Sequence, residues 1–341
     1  MNRIYALPLA LLAMACSSVD VSADAELDLL EGPDERSLSD GDPTAADRVR
    51  VRSPLATYSL YVDPSSHAAD QAVEWASSDP SAAALMTTMA EKPLGLWVGD
   101  WTSDVTGTVD DAVTAGGTEL RTLVLYNIPD RDCGAYSSGG ASDAAAYASF
   151  IAEVAAGLDG RLAIIILEPD ALPLTSCLDA AGITEREGML ADAVDTLTAA
   201  GGRVYIDAGD SNWIDATTMA ASLSAAGVAN AAGFSLNVSH TEYTINEVGY
   251  AEELRAILGT DAHYVIDTGR NALGPTADSE WCNPRERGLG RAPTTRTRRR
   301  GLDALLWVKP PGESDGDCGG GPSAGTWWAE YALELAEYSP Y

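Results

Sequence analysis

Short apolar runs recur along this chain at intervals of roughly 30 to 40 residues, with helix-length, alanine-rich stretches between them. That rhythm constrains the fold more than any other feature, because a parallel strand reaches its neighbour only through a crossover of about a dozen residues or more. The strand candidates are 58–62, 95–98, 121–127, 162–168, 203–207, 233–238, 263–267 and 305–308. Residues 143–158 and 184–200 read as helices, the second with an amphipathic pattern. Seven or eight such units predict an α/β fold, a distorted and incomplete parallel β/α barrel of about seven strands rather than an open sheet.

Five of the runs lead into acids. Residues 123–125 run toward Asp132, 162–167 into Glu168 and Asp170, 204–206 into Asp207, 265–266 into Asp267, and 305–308 toward Asp315. In a parallel α/β fold the carboxyl ends of the strands lie together, so these acids should converge on a cleft at one face. Several carboxylates around a cleft suit chemistry that donates one proton and removes another, with glycoside hydrolysis the leading case.

A formal charge of −30 over 341 residues makes nucleic acid and anionic membrane surfaces poor partners, whereas a neutral polysaccharide is indifferent to it. Arg3 and the apolar stretch 4–15 read as an export signal, too short to span a membrane. Cys16 follows Leu12-Ala13-Met14-Ala15, which resembles a lipoprotein cleavage box and would make Cys16 a lipid anchor; the alternative is an ordinary signal peptide cut nearby. Residues 17–50 are acidic and poor in aromatics, a disordered tether. The catalytic body should therefore occupy 51–341, on a chain that is secreted or anchored at the bacterial cell surface.

Export permits disulfides. Cys133, Cys177, Cys282 and Cys318 allow three connectivities, of which 133–177 with 282–318 would staple neighbouring site loops. No Cys-x-x-Cys or Cys/His cluster suggests a metal, and no cofactor is expected.

Two long motifs then resemble glycoside hydrolase family six, a family of inverting endoglucanases and cellobiohydrolases. They are Val124-Leu-Tyr126-Asn-Ile-Pro-Asp-Arg131-Asp132-Cys133-Gly134-Ala-Tyr-Ser137-Ser138-Gly-Gly140 and Ile164-Ile-Ile-Leu-Glu168-Pro169-Asp170-Ala-Leu-Pro173. Tyr205-Ile-Asp207-Ala-Gly209, Asp267-Thr-Gly-Arg270-Asn271, Trp281-Cys282-Asn283-Pro284 and Trp307-Val-Lys309-Pro-Pro-Gly-Glu313-Ser-Asp315-Gly316 follow in family order.

The resemblance implies Asp170 as the general acid, with its pKa raised by an apolar surround or a neighbouring anion. It implies Asp132 as the neighbour that acts on the acid's protonation, and Asp315 as the base. Tyr126 would crowd the sugar at the cleavage point, and Ser138 (or Ser137) would hold the attacking water. Lys309, one of only two lysines, and Glu313 would bind hydroxyls. Asn237 joins the substrate-binding candidates, while Asp207 and Asp267 read as site-shaping groups. Eight tryptophans against two phenylalanines suit stacking on pyranose faces, with Trp97, Trp213 and Trp281 at subsite positions. Trp327 and Trp328 read as helix packing, and the basic run 296–300 as a solvated loop rather than a rim contact. One departure stands out: Asp210 occupies a position where many relatives carry histidine, which alters a product-side subsite.

The reading as a whole is an exported, monomeric endo-β-1,4-glucanase acting with inversion on cellulose or a related β-glucan. The alternatives are an exo-acting cellobiohydrolase and a catalytically silent glucan-binding surface lipoprotein.

Overall fold

Seven of the apolar runs pair in parallel and in chain order: β1 (Gly95–Val98), β2 (Thr122–Leu125), β3 (Ala163–Leu167), β4 (Gly202–Asp207), β5 (Gly233–Leu236), β6 (His263–Asp267) and β7 (Leu302–Leu306). The computed structural model describes residues 53–259 and 261–340; the expected leader 1–16 and tether 17–50 lie outside them. Among the described residues, α1 (His67–Trp75) and α2 (Pro80–Ala90) precede β1. The crossovers carry α3 (Val105–Gly116), α4 (Ala144–Leu158), α5 (Ala180–Ala199), α6 (Ala216–Ala225) and α7 (Thr244–Leu258), and α8 (Ala329–Glu337) follows β7. No described helix is long and apolar enough to cross a membrane.

Alternation along each strand sorts the side chains into two cores. Leu123, Leu125, Ile165, Leu167, Val204, Ile206 and Ile266 pack against the helices, with Val109, Val154, Leu190, Leu223 and Leu254 opposite them. Val124, Ile164, Ile166, Tyr205, Val265, Ala304 and Leu306 point the other way and fill the lumen of the curled sheet. Strands buried on both faces read as continuous apolar runs, which is why periodicity found them but could not say which face was which.

The two edges of the sheet approach each other. Gly95 donates its N–H to the Trp307 carbonyl at 2.9 Å, and the Trp97 indole donates to the Val308 carbonyl at 2.9 Å. A Cβ on Gly95 would lie 2.3 Å from the Val308 oxygen, so only glycine admits this approach. The same contact corrects the expected strand 305–308. Pairing with β6 ends at Leu306, and Trp307 and Val308 leave it to meet β1. The expected strand 58–62 is also corrected: it contributes a single bridge, Leu60 to Leu120, beneath the lumen.

Part of the acidic excess has a local use. Asp79, Asp104, Asp143, Asp179 and Asp215 each cap the helix that follows, accepting a free backbone N–H in its first turn. Two disulfides, Cys133–Cys177 and Cys282–Cys318, select one of the three connectivities. Trp327 and Trp328 stand just before α8 and pack against its satellite core of Met86, Met89, Trp307, Tyr331 and Leu335. The run 296–300 enters β7 from its amino end, away from the carboxyl ends of the strands, as a solvated loop requires.

Candidate active site

The strand-end acids divide into two groups by distance from their strand. Those that follow directly bond to backbone. Glu168 accepts the N–H groups of Asn127 and Ile128, at 2.8 and 2.9 Å, in the loop after β2. Asp207 accepts the N–H of Asp170 at 2.9 Å, in the loop after β3. Asp267 accepts from Ser239 after β5 and from Gly269, Val308 and Lys309 around the ends of β6 and β7. All three are buried. Burial pushes Glu168 and Asp207 up to about 7, and pushes Asp267 up as well.

Those caps hold an unusual backbone. Asp130, Asp132, Cys133, Glu168, Asp170, Asn237 and Ser239 all have left-handed φ values between 46° and 68°, without being glycine. Each such residue costs on the order of 1 kcal/mol and persists only where its surroundings fix it. Here the capping carboxylates and the Cys133–Cys177 bridge supply that constraint.

Of the remaining acids, Asp132 and Asp170 face a cleft of about 560 Å³ at the carboxyl ends of the strands, whereas Asp315 is buried and does not line it. Asp132 and Asp170 line it together with Trp213 and Trp281, and with Asp210, His240, Thr241, Glu242 and Glu280. Asp170 is one of these lining acids. Its Oδ1 is sealed from solvent and receives no hydrogen bond, although about a fifth of the side chain remains accessible. Desolvation raises its pKa to about 6; Asp132, Asp210 and Asp315 push the same way, and His240 opposes them. Asp132 is also raised by burial, although Ser137 donates its N–H to it at 2.7 Å. A carboxyl that keeps its proton toward neutral pH is what a general acid requires.

Asp315 differs. It accepts from Arg270 at 2.7 Å and from the Asn283 N–H at 2.9 Å, with the Lys309 ammonium 3.9 Å away. Burial alone would raise its pKa, but Arg270 and Lys309 outweigh it and hold the carboxylate below its ordinary range. This side of the site therefore carries a fixed anion.

Tyr126 is buried, with Arg131 4.7 Å over its ring and Trp97 edge-on at 5.3 Å. Desolvation, then Asp170 and Asp132, raise its phenol well above the usual range, so it stays neutral. Lys309 stands 5.6 Å over Trp97 and donates to the Ser314 carbonyl. Glu313 is partly covered beside Lys309. Ser138 is exposed on the β2 loop, its carbonyl accepting from Arg131.

Asn237 is placed differently from the expectation. It is fully buried, donates to the carbonyls of Glu242 and Asp267, and accepts from the Glu242 N–H. Its amide is consumed in holding the loop after β5, so it does not face the cleft. Sequence reasoning also missed His240 and the ion-pair role of Arg270. Their partners lie 30 and 45 residues away in sequence, and only the left-handed loop after β5 brings His240 to Asp170.

Tyr136, on the loop tied by Cys133–Cys177, reaches the Trp281 ring at 5.8 Å and lies against Gly316, both on the other disulfide-tied region.

Residues 55–339 match the family described as Glycosyl hydrolases family 6. The chain is 43% identical over 289 residues to endoglucanase A of Cellulomonas fimi, covering 83% of this chain and 62% of that one. It is 42% identical over 295 residues to endoglucanase 1 of Streptomyces halstedii, covering 82% and 88%. Its fold is similar to that of the endoglucanase Cel6 of Mycobacterium tuberculosis, solved with a methyl-cellobiosyl-4-deoxy-4-thio-β-D-cellobioside. The TM-score is 0.79 at 44% identity, over 84% of this chain and 99% of that one. The fold is thus shared with the Mycobacterium tuberculosis endoglucanase, and the chain belongs to glycosyl hydrolase family 6.

Proposed function

We propose that the protein hydrolyses β-1,4-linked glucan, cleaving internally and with inversion, and that it does so after export. The observation that carries this reading is the contrast between two neighbouring acids: Asp170 has a desolvated oxygen without a donor, which raises its pKa, and Asp315 is bonded to Arg270, which lowers its pKa. Asp170 donates its proton to the glycosidic oxygen as the bond to the anomeric carbon breaks. A water on the opposite face of the sugar attacks that carbon and gives its proton toward Asp315, directly or through another water. Asp132, raised by burial, shares the negative charge around the acid. Trp213 and Trp281 offer flat faces for pyranose stacking. Lys309 and Glu313 would bind hydroxyls, and the Ser138 loop would hold water.

Support for internal cleavage comes from relatives named endoglucanases at 42–44% identity and from a catalytic body of about 290 residues, which leaves little room for long roofing loops. The contact of Tyr136 with Trp281 favours the second reading, an exo-acting enzyme, because it joins two loops beside the cleft. Viscometry of soluble carboxymethyl-cellulose separates the two. An early fall in viscosity before cellobiose accumulates supports the endo reading, and cellobiose release at constant viscosity overturns it. NMR of the first products from a cello-oligosaccharide reads the anomer; an initial β product would refute inversion.

A further inference from the structure

We infer that His240, gripped by Asp210, is a positively charged positioning residue for Asp170: a carboxylate–imidazolium–carboxyl chain that stabilises the anion left when the acid gives up its proton. The inference deepens the glycoside hydrolase reading and rests on it.

The chain is built from three separate loops. His240 Nδ1 bonds to Asp210 Oδ2 on the loop after β4, and His240 Nε2 stands 3.8 Å from Asp170 Oδ1 on the loop after β3. That Asp170 oxygen is the one sealed from water without a hydrogen-bond donor. Asp210 is itself fixed, its other oxygen accepting the Asn212 N–H at 2.7 Å.

His240 is held as firmly. Its N–H donates to the Asn237 carbonyl at 3.0 Å, Ser239 before it is left-handed, Asp267 accepts the Ser239 N–H, and Arg270 donates to the Ser239 carbonyl. The Trp213 ring covers the imidazole at 5.4 Å. The buried amide of Asn237 thus acts in the site indirectly, by shaping the turn that presents the histidine.

The charges facing the pair explain why a cation is needed. Asp132 from the β2 loop, Asp207 from β4, Asp210 from the β4 loop and Asp315 from the β7 loop all act on Asp170 or His240, while the neutral Tyr126 adds no charge. Glu242 and Glu247 lie beyond, next to Asp210. The Arg270 cation is bound to Asp315. When Asp170 passes its proton to the leaving oxygen, a further anion appears among these groups, and His240 is the cation that faces it.

Burial disfavours a charged imidazole, but the bond to Asp210 and the field of Asp170 and Asp210 raise its pKa to about 9, so it is charged wherever Asp170 titrates. An adjacent cation lowers the acid's pKa, which makes proton donation easier and moves the alkaline limb of the rate profile down.

The test measures kcat/KM for soluble carboxymethyl-cellulose from about pH 4 to 9 in wild type, His240→Gln and Asp210→Asn. Loss of the cation in His240→Gln should move the alkaline limb up by about one pH unit and lower the maximum rate. Asp210→Asn, which removes the carboxylate keeping the ring charged, should move the limb the same way. Variants slowed equally at every pH, with the limb in place, would show a merely structural role and overturn the inference. Nitrogen-15 NMR of the wild-type imidazoles decides independently of variant folding: His240 should remain an imidazolium through pH 7, and a neutral ring there overturns the inference. A wild-type enzyme that releases no sugar from any β-1,4-glucan would instead overturn the hydrolase reading, leaving the NMR result intact.

Discussion

At the carboxyl end of β3, Asp170 is enclosed by other carboxylates and has an oxygen without a donor; at the carboxyl end of β7, Asp315 is held by a guanidinium, a backbone N–H and a nearby ammonium. Both lie beyond the carboxyl ends of strands of one sheet, and burial pushes both upward. The difference lies in what each is given in exchange for water. Asp170 receives a cation 3.8 Å away that does not bond to it, and it stays protonated until about pH 6. Asp315 receives direct charge-assisted bonds and stays ionised. On the proposed reading, acid and base roles follow from the partner, since the side chains are chemically identical.

The largest break in that contrast is Asp170→Asn. It should lower kcat by about 10²- to 10⁴-fold while leaving the affinity for cello-oligosaccharide, measured by calorimetry, nearly unchanged. A modest loss of activity would place the acid elsewhere.

Arg270→Met attacks the other pole. It strands a buried carboxylate and removes the donor to Tyr331 and to the Ser239 carbonyl, which should cost about 3–5 kcal/mol at neutral pH. The Asp315 pKa is depressed in the native state, so its stabilisation is present above the unfolded pKa of 3.8 and is lost as pH falls through the native value. Urea titrations should therefore show the gap between wild type and variant narrowing in acid. A gap independent of pH would mean that the ion pair is not its source.

The raised acids make the opposite prediction. Glu168, Asp207 and Glu247, at about 7, 7 and 8, favour the native state fully below their unfolded values and lose that advantage as pH rises through their native ones. Stability should peak near about pH 5 and decline toward pH 8. Glu247→Gln should flatten that decline by roughly 2 kcal/mol, because Glu247 is fully buried and its Oε2 has no partner.

The smallest effect belongs to the cleft rim. Trp281 is 52% exposed, and Trp281→Ala should raise KM about fivefold with kcat little changed, as expected for roughly 1 kcal/mol of stacking present in both ground and transition states. A fall in kcat alone would instead put Trp281 at the point of cleavage.

The contrast also marks how far the chain could be read before its structure was seen. The seven paired strands lie within or beside apolar runs visible in the sequence, and Asp170 and Asp132 stand in motifs long enough to recognise. Residues 58–62 alternate like a strand but find only Leu120 to pair with, because tertiary context decides pairing. Trp307 and Val308 extend an apolar run yet turn toward Gly95, and no local pattern announces an approach across some 210 residues. Asn237 was misjudged because a polar residue at a strand end serves a cleft or a turn equally well until its hydrogen bonds are known. His240 carried no signal at all: its meaning comes from Asp210 and Asp170, which approach it only after two crossovers have formed.

The backbone caps have a consequence for recombining this scaffold. The loop after β2 is pinned by Glu168 at the end of β3, the loop after β3 by Asp207 at the end of β4, and the loops after β5 and β7 by Asp267 at the end of β6. A chimera spliced between adjacent units draws a loop from one parent and its anchor from the other. Such crossovers will fold only where both parents keep an acid at the anchoring position, so for the loops after β2, β3 and β5 the heritable module is a loop together with the next strand, not a strand with its own loop.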